Sequence, residues 1–155
     1  SSGASVISSL EYYEAGRDHL TPGGIMMQWV PFGGPEEDFK EHLRTFATVF
    51  PHMTVVRGAG GYGAYMLGSE EPFALDPAGA REVLSRPGVL EDISSAYDSP
   101  ASTVDDWISV IERQTWFPNA AAVKAYVGEG PIITDDHPRP EYFLLRRLAD
   151  AAPDR

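Results

Sequence analysis

Apolar positions recur with a helical period between residues 35 and 50, where Phe39, Leu43, Phe46 and Phe50 fall on one stripe. Glu36, Glu37 and Asp38 stand in the first turn, where carboxylates complement the helix dipole, and Pro51 closes the segment. A helix is predicted over Pro35–Phe50. Upstream, Ser8-Ser9-Leu10-Glu11 has the form of a capping box, with Ser8 accepting from an orphan amide and Glu11 reaching back. It predicts a helix running to Leu20, stopped by Thr21-Pro22-Gly23-Gly24. Between these helices Ile25-Met26-Met27-Gln28-Trp29-Val30 shows almost no polar alternation, the pattern of a strand buried on both faces of a parallel or mixed sheet.

Met53–Arg57 and Tyr62–Leu67 are short β-rich runs around Gly58-Ala59-Gly60-Gly61 and predict an antiparallel hairpin. Beyond them the pattern turns helical, with segments predicted at Pro77–Arg86, Thr103–Trp116, Asn119–Val127 and Glu141–Ala151, separated by breaks such as Arg86-Pro87-Gly88. The chain therefore divides into an α/β part, residues 1–72, and a helical extension, residues 73–155.

Composition narrows the chemistry. The 155 residues are 43% hydrophobic and 23% charged, an ordinary globular balance with enough apolar material for a core. Twelve Lys and Arg against 23 Asp and Glu give a net charge of −11, which argues against a nucleic-acid partner and permits a small cationic one. The absence of Cys excludes disulfides, thiolate nucleophiles and Cys-ligated metals. No apolar run approaches the ~20 residues that span a bilayer, so no membrane contact is expected of this chain. Ser1-Ser2-Gly3-Ala4-Ser5 has neither an initiator Met nor the regions of a signal peptide, and reads as the middle of a longer polypeptide.

Gly58, Gly60 and Gly63 match the G-x-G-x-x-G dinucleotide pattern, but that chemistry needs a helix N-terminus directly after the glycines, and Tyr62 to Gly68 is β-like. A hairpin turn is the expected role. His19, His42, His52 and His137 have no metal-ligand spacing, and no G-x-S-x-G elbow supports a hydrolase. Gln28-Trp29 lies at the end of the apolar strand, where open α/β sheets bind ligands; a capped strand end with Trp29 in the core is the competing reading. Thr134-Asp135-Asp136-His137-Pro138-Arg139-Pro140-Glu141-Tyr142 gathers three carboxylates and a phenol. It suits either the binding and deprotonation of an amine, or a helix cap with ion pairs to Arg139, Arg146 or Arg147.

Ser9-Leu10-Glu11-Tyr12-Tyr13, Leu20-Thr21-Pro22-Gly23-Gly24-Ile25, Gln28-Trp29-Val30-Pro31, Phe46-Ala47-Thr48-Val49-Phe50-Pro51-His52 and the Asp135-Asp136 segment together resemble the C-terminal half of spermidine synthase-like proteins. The likeness covers Ser5 to Leu67 and Ile132 to Leu145. It implies the C-terminal part of a seven-stranded, methyltransferase-like, Rossmann-type sheet, ending in the hairpin and followed by the helical extension. It further implies a transferase that moves an aminopropyl group from decarboxylated S-adenosylmethionine to an amine, inactive in this fragment, because the family's cofactor loop and catalytic Asp lie upstream.

No catalytic or cofactor-binding residue is assigned to this chain. The resemblance implies substrate-binding roles for Gln28, Tyr62, Asp135 and Asp136. The scattered histidines predict no metal, and the apolar strand, with faces and edge amides in need of cover, predicts either the missing N-terminal half or a homodimer partner. The resemblance also implies a cytoplasmic location, including as the soluble part of a membrane-fused protein. His137 and Pro140 depart from the family's usual residues and bear on the identity of the acceptor. A methyltransferase-fold protein acting on another small acceptor with S-adenosylmethionine, and a non-catalytic binding or assembly module, are the alternatives.

Overall fold

Helix α2 (Glu36–Val49) organises the fold, and the apolar stripe explains why: Leu43, Phe46 and the C-capping Phe50 are fully buried, each ring or branched chain contributing about 1.5–3 kcal/mol by leaving water. The computed structural model describes residues 6–58, 61–96, 101–138 and 142. Among them the chain is α/β, with six α-helices and one open four-stranded antiparallel sheet. Helix α1 (Leu10–Asp18) packs on α2 through Tyr13, whose ring meets Phe46 edge-on at 5.0 Å. Its N-cap is Ser9 rather than Ser8, with the hydroxyl accepting from the Tyr12 amide at 3.2 Å, and the Glu11 carboxylate turns to another segment.

The sheet is built from β1 (Met26–Pro31), β2 (His52–Arg57), β3 (Gly63–Ser69) and β4 (Thr115–Phe117), in the order β1-β3-β2-β4. The predicted hairpin is β2–β3, with His52 opposite Ser69 and Arg57 opposite Ala64. Strand β3 is antiparallel to both β1 and β2, so β1 and β2 run parallel with β3 between them. Val30, Ala64, Met66, Met53 and Val55 join the core with α1, α2 and the helix α6 (Ala120–Val127). Gly68 is required on this face, because a Cβ there would run into the Phe46 and Phe50 rings.

Strand β1 corrects the expectation of burial on both faces in a parallel or mixed sheet. Its neighbour is antiparallel, and alternate side chains face out: Ile25 just before the strand is 46% exposed, Met27 62% and Trp29 46%. The hydrophobic run is real, but the described residues supply a cover for one face only.

In the second half, α3 (Pro77–Leu84) starts at an Asp76 cap and α4 (Val89–Ala96) follows the turn at Gly88, whose φ is 83°. Helix α5 (Val104–Gln114) opens with a full capping box between Thr103 and Asp106. These three helices share a separate core around Leu84, Trp107 and Ile108. The helix predicted through Trp116 stops at Gln114: Pro118 disfavours helical backbone at Phe117, and β4 instead pairs Phe117 with Val55. Strand β4 and α6 return to the first core, where Phe117, Val123 and Val127 are buried. The helix predicted over Glu141–Ala151 lies outside the described residues, Tyr142 excepted.

Arg44 fastens this return. Its buried guanidinium donates to the carbonyls of Val127 (3.0 Å), Gly128 (3.3 Å) and Pro131 (3.1 Å) and pairs with Glu37 at 2.6 Å. Gly130 lies against it, where a Cβ would be 2.5 Å from the guanidinium carbon.

Candidate functional site

The end of β1 meets the tip of the hairpin. The Gly58 amide donates to the Gly63 carbonyl at 2.8 Å and Gly61 takes φ 76°, a turn that side-chain-bearing residues rarely adopt. Gly63 begins β3 and no helix follows the glycines, so the loop closes a hairpin; Gly60 lies outside the described residues. Trp29 lies across Gly63, where a Cβ would stand 2.5 Å from the indole nitrogen. The Phe32 amide donates to the Tyr62 carbonyl at 3.0 Å, which brings Tyr62, 79% exposed, beside the end of β1. Gln28 sits opposite Met66, and its Nε2 donates to the Trp29 carbonyl at 3.0 Å, so the amide runs along its own strand.

The acidic segment forms a tight turn. Asp135 and Asp136 are exposed between Thr134 and His137, which bridge to each other, the His137 amide donating to the Thr134 carbonyl at 3.0 Å. Two anchors hold this turn at the N-terminus of α1. The buried Ile133 donates to the Thr45 hydroxyl and accepts from the Leu10 amide, both at 2.9 Å, and the Asp135 amide donates to Glu11 Oε2 at 3.0 Å. Three carboxylates thus gather where the α1 dipole favours negative charge. Among the described residues no hydrogen bond or ion pair joins this turn to Gln28 or Tyr62. Arg139, Glu141, Arg146 and Arg147, the partners of the capping reading, lie outside the described residues. No group of three or more His, Cys, Asp or Glu among the described residues is placed to hold a metal, and no described helix is long and apolar enough to cross a membrane.

A cavity absent from the sequence reading opens on the α2 side of the sheet. It has a volume of about 550 Å³ and is walled by Phe32, Phe39, Trp116 and Tyr126, with Glu36, Asp38 and His42 among its polar lining residues. Phe39 stacks on Trp116 at 5.3 Å, and Phe32 meets both rings edge-on at 5.6 and 5.7 Å. Burial drives the His42 pKa from 6.5 down to about 4, so its imidazole is neutral at physiological pH, and Nδ1 has no hydrogen-bond partner. The seven-residue spacing of Phe32 and Phe39 is visible in the sequence, but nothing local connects them to Trp116 and Tyr126.

No family model, no curated protein and no solved structure matches the chain.

Proposed function

We propose that this chain is the closing part of a spermidine synthase-like aminopropyltransferase, whose sulfonium-binding strands dock on the outer edge of β1. The observation that carries the reading is β1 itself. Its outer side is unpaired among the described residues, its outward side chains are large and apolar, and no charged residue stands between Gly23 and Pro35. Solvent-facing edge strands are normally defended by charge, so a strand of this kind suits an interior place in a larger sheet. The strand order, with β1 and β2 parallel around an antiparallel β3, is compatible with the last strands of a seven-stranded methyltransferase-like sheet.

In the proposed reaction a neutral amine attacks the carbon beside the sulfonium, the carbon–sulfur bond breaks to release a thioether, and the amine's proton passes to a base outside this chain. Asp135, Asp136 and Glu11 supply the negative potential that holds the rest of the cationic amine, while Gln28 and Tyr62 line the strand end. Charge-assisted contacts of this kind contribute roughly 1.5–3 kcal/mol each when partly desolvated.

The test is turnover by the intact encoded polypeptide with decarboxylated S-adenosylmethionine and a diamine, and separately with S-adenosylmethionine and small acceptors. The reading expects an aminopropylated product. It also expects Asp135→Asn with Asp136→Asn to lower kcat/KM for the amine by more than about tenfold, roughly 1.4 kcal/mol, with sulfonium binding unchanged by calorimetry. A methylated product would replace it with a methyltransferase. Failure to bind any adenosyl-sulfonium compound would favour a non-catalytic binding module, a reading consistent with the Gln28 amide being engaged on its own backbone.

A further inference from the structure

We propose that the outer edge of β1 receives a parallel strand that runs directly into α1, and that the pairing stops at Trp29. This rests on the reading of the chain as the closing part of a larger sheet, and adds to it which strand is received, in which direction and on which backbone groups.

The direction of the free groups follows from the bonds at the end of the strand. Pro31 stands opposite Gly63, and the next amide along, that of Phe32, donates to the Tyr62 carbonyl at 3.0 Å, so Phe32 faces β3. In an antiparallel pair the hydrogen-bonded positions alternate with those that turn away, which gives Val30, Gln28 and Met26 to β3 and leaves the N–H and C=O groups of Trp29 and Met27 on the outer side. The Gln28 side chain agrees, because its Nε2 reaches the Trp29 carbonyl at 3.0 Å. Pro31 is next in the outward series and has no N–H to offer. A strand laid along this edge therefore finds the Met27 groups and the Trp29 amide, and beyond them a carbonyl already held by Gln28 and a proline. The ladder ends there.

The hand of the chain identifies the strand. Parallel neighbours need a crossover of a dozen or more residues, usually helical, and residues 6–25, with α1 among them, supply one. Strands β1 and β2 are themselves parallel and joined through α2, and such crossovers are right-handed. Helix α1 lies on the same face of the sheet as α2: Tyr13 packs on Phe46, and Gly16 lies against Met26, whose side chain points to that face. Equal hand on an equal face moves the chain across the sheet in the same direction. The step from β1 to β2 passes towards β3, so a strand leading through α1 into β1 falls on the opposite side, which is the free edge. Its side chains would lie beside Met27 and Trp29 on the bare face, and with no charged residue between Gly23 and Pro35 to pair with, an uncharged segment fits.

The experiment follows amide exchange residue by residue in this chain and in the intact encoded polypeptide. In the 155-residue chain Gln28 and Val30 are expected to exchange slowly and Met27 and Trp29 freely; in the intact polypeptide Met27 and Trp29 are expected to slow by at least about a hundredfold. Gln28 turns its Hα to the outer edge, so an antiparallel neighbour would give it a strong Hα–Hα NOE and a parallel one would not. The proposal is overturned by unchanged exchange at Met27 and Trp29, by that NOE, or by protection that grows with the concentration of the intact polypeptide, which would put a second copy on the edge. Met27→Pro removes an outward N–H and no bond to β3, and is expected to cut the Trp29 protection at least about tenfold while Gln28 and Val30 stay slow. The comparison without substitution decides the matter even if this variant fails to fold. Turnover is read separately: protection without an aminopropylated product keeps the strand and removes the transfer reading, and product without protection does the reverse.

Discussion

Replacing His42 with Leu should flatten the response of stability to mild acid. The folded pKa, about 4, lies below the ordinary 6.5 because burial penalises the charged ring. The unfolded chain therefore takes up a proton first as the pH falls. The contribution of the neutral ring is complete above about pH 6.5 and is lost progressively as the pH drops towards the folded value. From about pH 7.5 to pH 5 the linkage amounts to roughly 2 kcal/mol, and to about 1–2 kcal/mol once the partial exposure of the ring to the cavity is allowed for. With a urea slope of about 2 kcal/mol/M, the wild-type midpoint should fall by roughly 0.5–1 M over that interval on this account alone. The Leu variant lacks the titrating group, and because Nδ1 has no partner to lose, its stability at neutral pH should lie near that of the wild type. Glu36 and Asp106, whose pKa values are lowered chiefly by hydrogen bonds from Lys40 and Thr103, lose their contributions below the usual carboxylate range, outside the window. Urea titrations of both chains at the two pH values measure the difference. Equal acid-induced drops in the two midpoints would refute the assignment.

Three further outcomes follow from packing. Gly68→Ala should cost at least about 2 kcal/mol in chemical denaturation, because its methyl meets two buried rings that have nowhere to move; a cost within experimental error would show the α2 face to be looser than described. Arg44→Leu should cost about 3 kcal/mol or more, since three carbonyls lose a charged donor, and amide exchange should accelerate in α6 and at residues 128–133. Trp107→Ala should loosen α3, α4 and α5 by about 3–5 kcal/mol while the slowest amides of β3 and α2 keep their protection; uniform acceleration would mean that the two cores unfold as one.

Elements whose instructions are local could be read from the sequence. The stripe of α2 and the glycine turn between β2 and β3 carry their own period and backbone signals, and both stand within a residue or two of expectation. Strand β1 was legible as a strand but not as a half-covered one, since a continuous apolar run has the same pattern whether its second face is buried or bare. Thr115 and Trp116 continue the spacing of α5; Pro118 signals a break nearby, but that the segment becomes a strand is decided by pairing with β2, about 60 residues away in the chain. The same holds at the site. Glu11 looked like half of a capping box, yet its carboxylate holds the Asp135 amide from the far end of the chain. The aromatic cavity joins α2 to β4 and α6, an encounter that no sequence window contains.

The position of β3 between β1 and β2 also sets a schedule for synthesis. Strand β1 leaves the ribosome well before its partner, since the chain must first extend through α2 and β2 to Ser69 before any β3 backbone can pair with it. At roughly 5–20 residues per second, those roughly forty residues take on the order of 2–8 s. Throughout that interval the edge of the uncharged Ile25–Val30 segment that β3 will cover has no backbone to pair with, long enough for chaperone capture or for contact with a neighbouring nascent chain. Yield in the cell should therefore respond to changes in elongation speed across α2 and β2 even where the finished protein is equally stable.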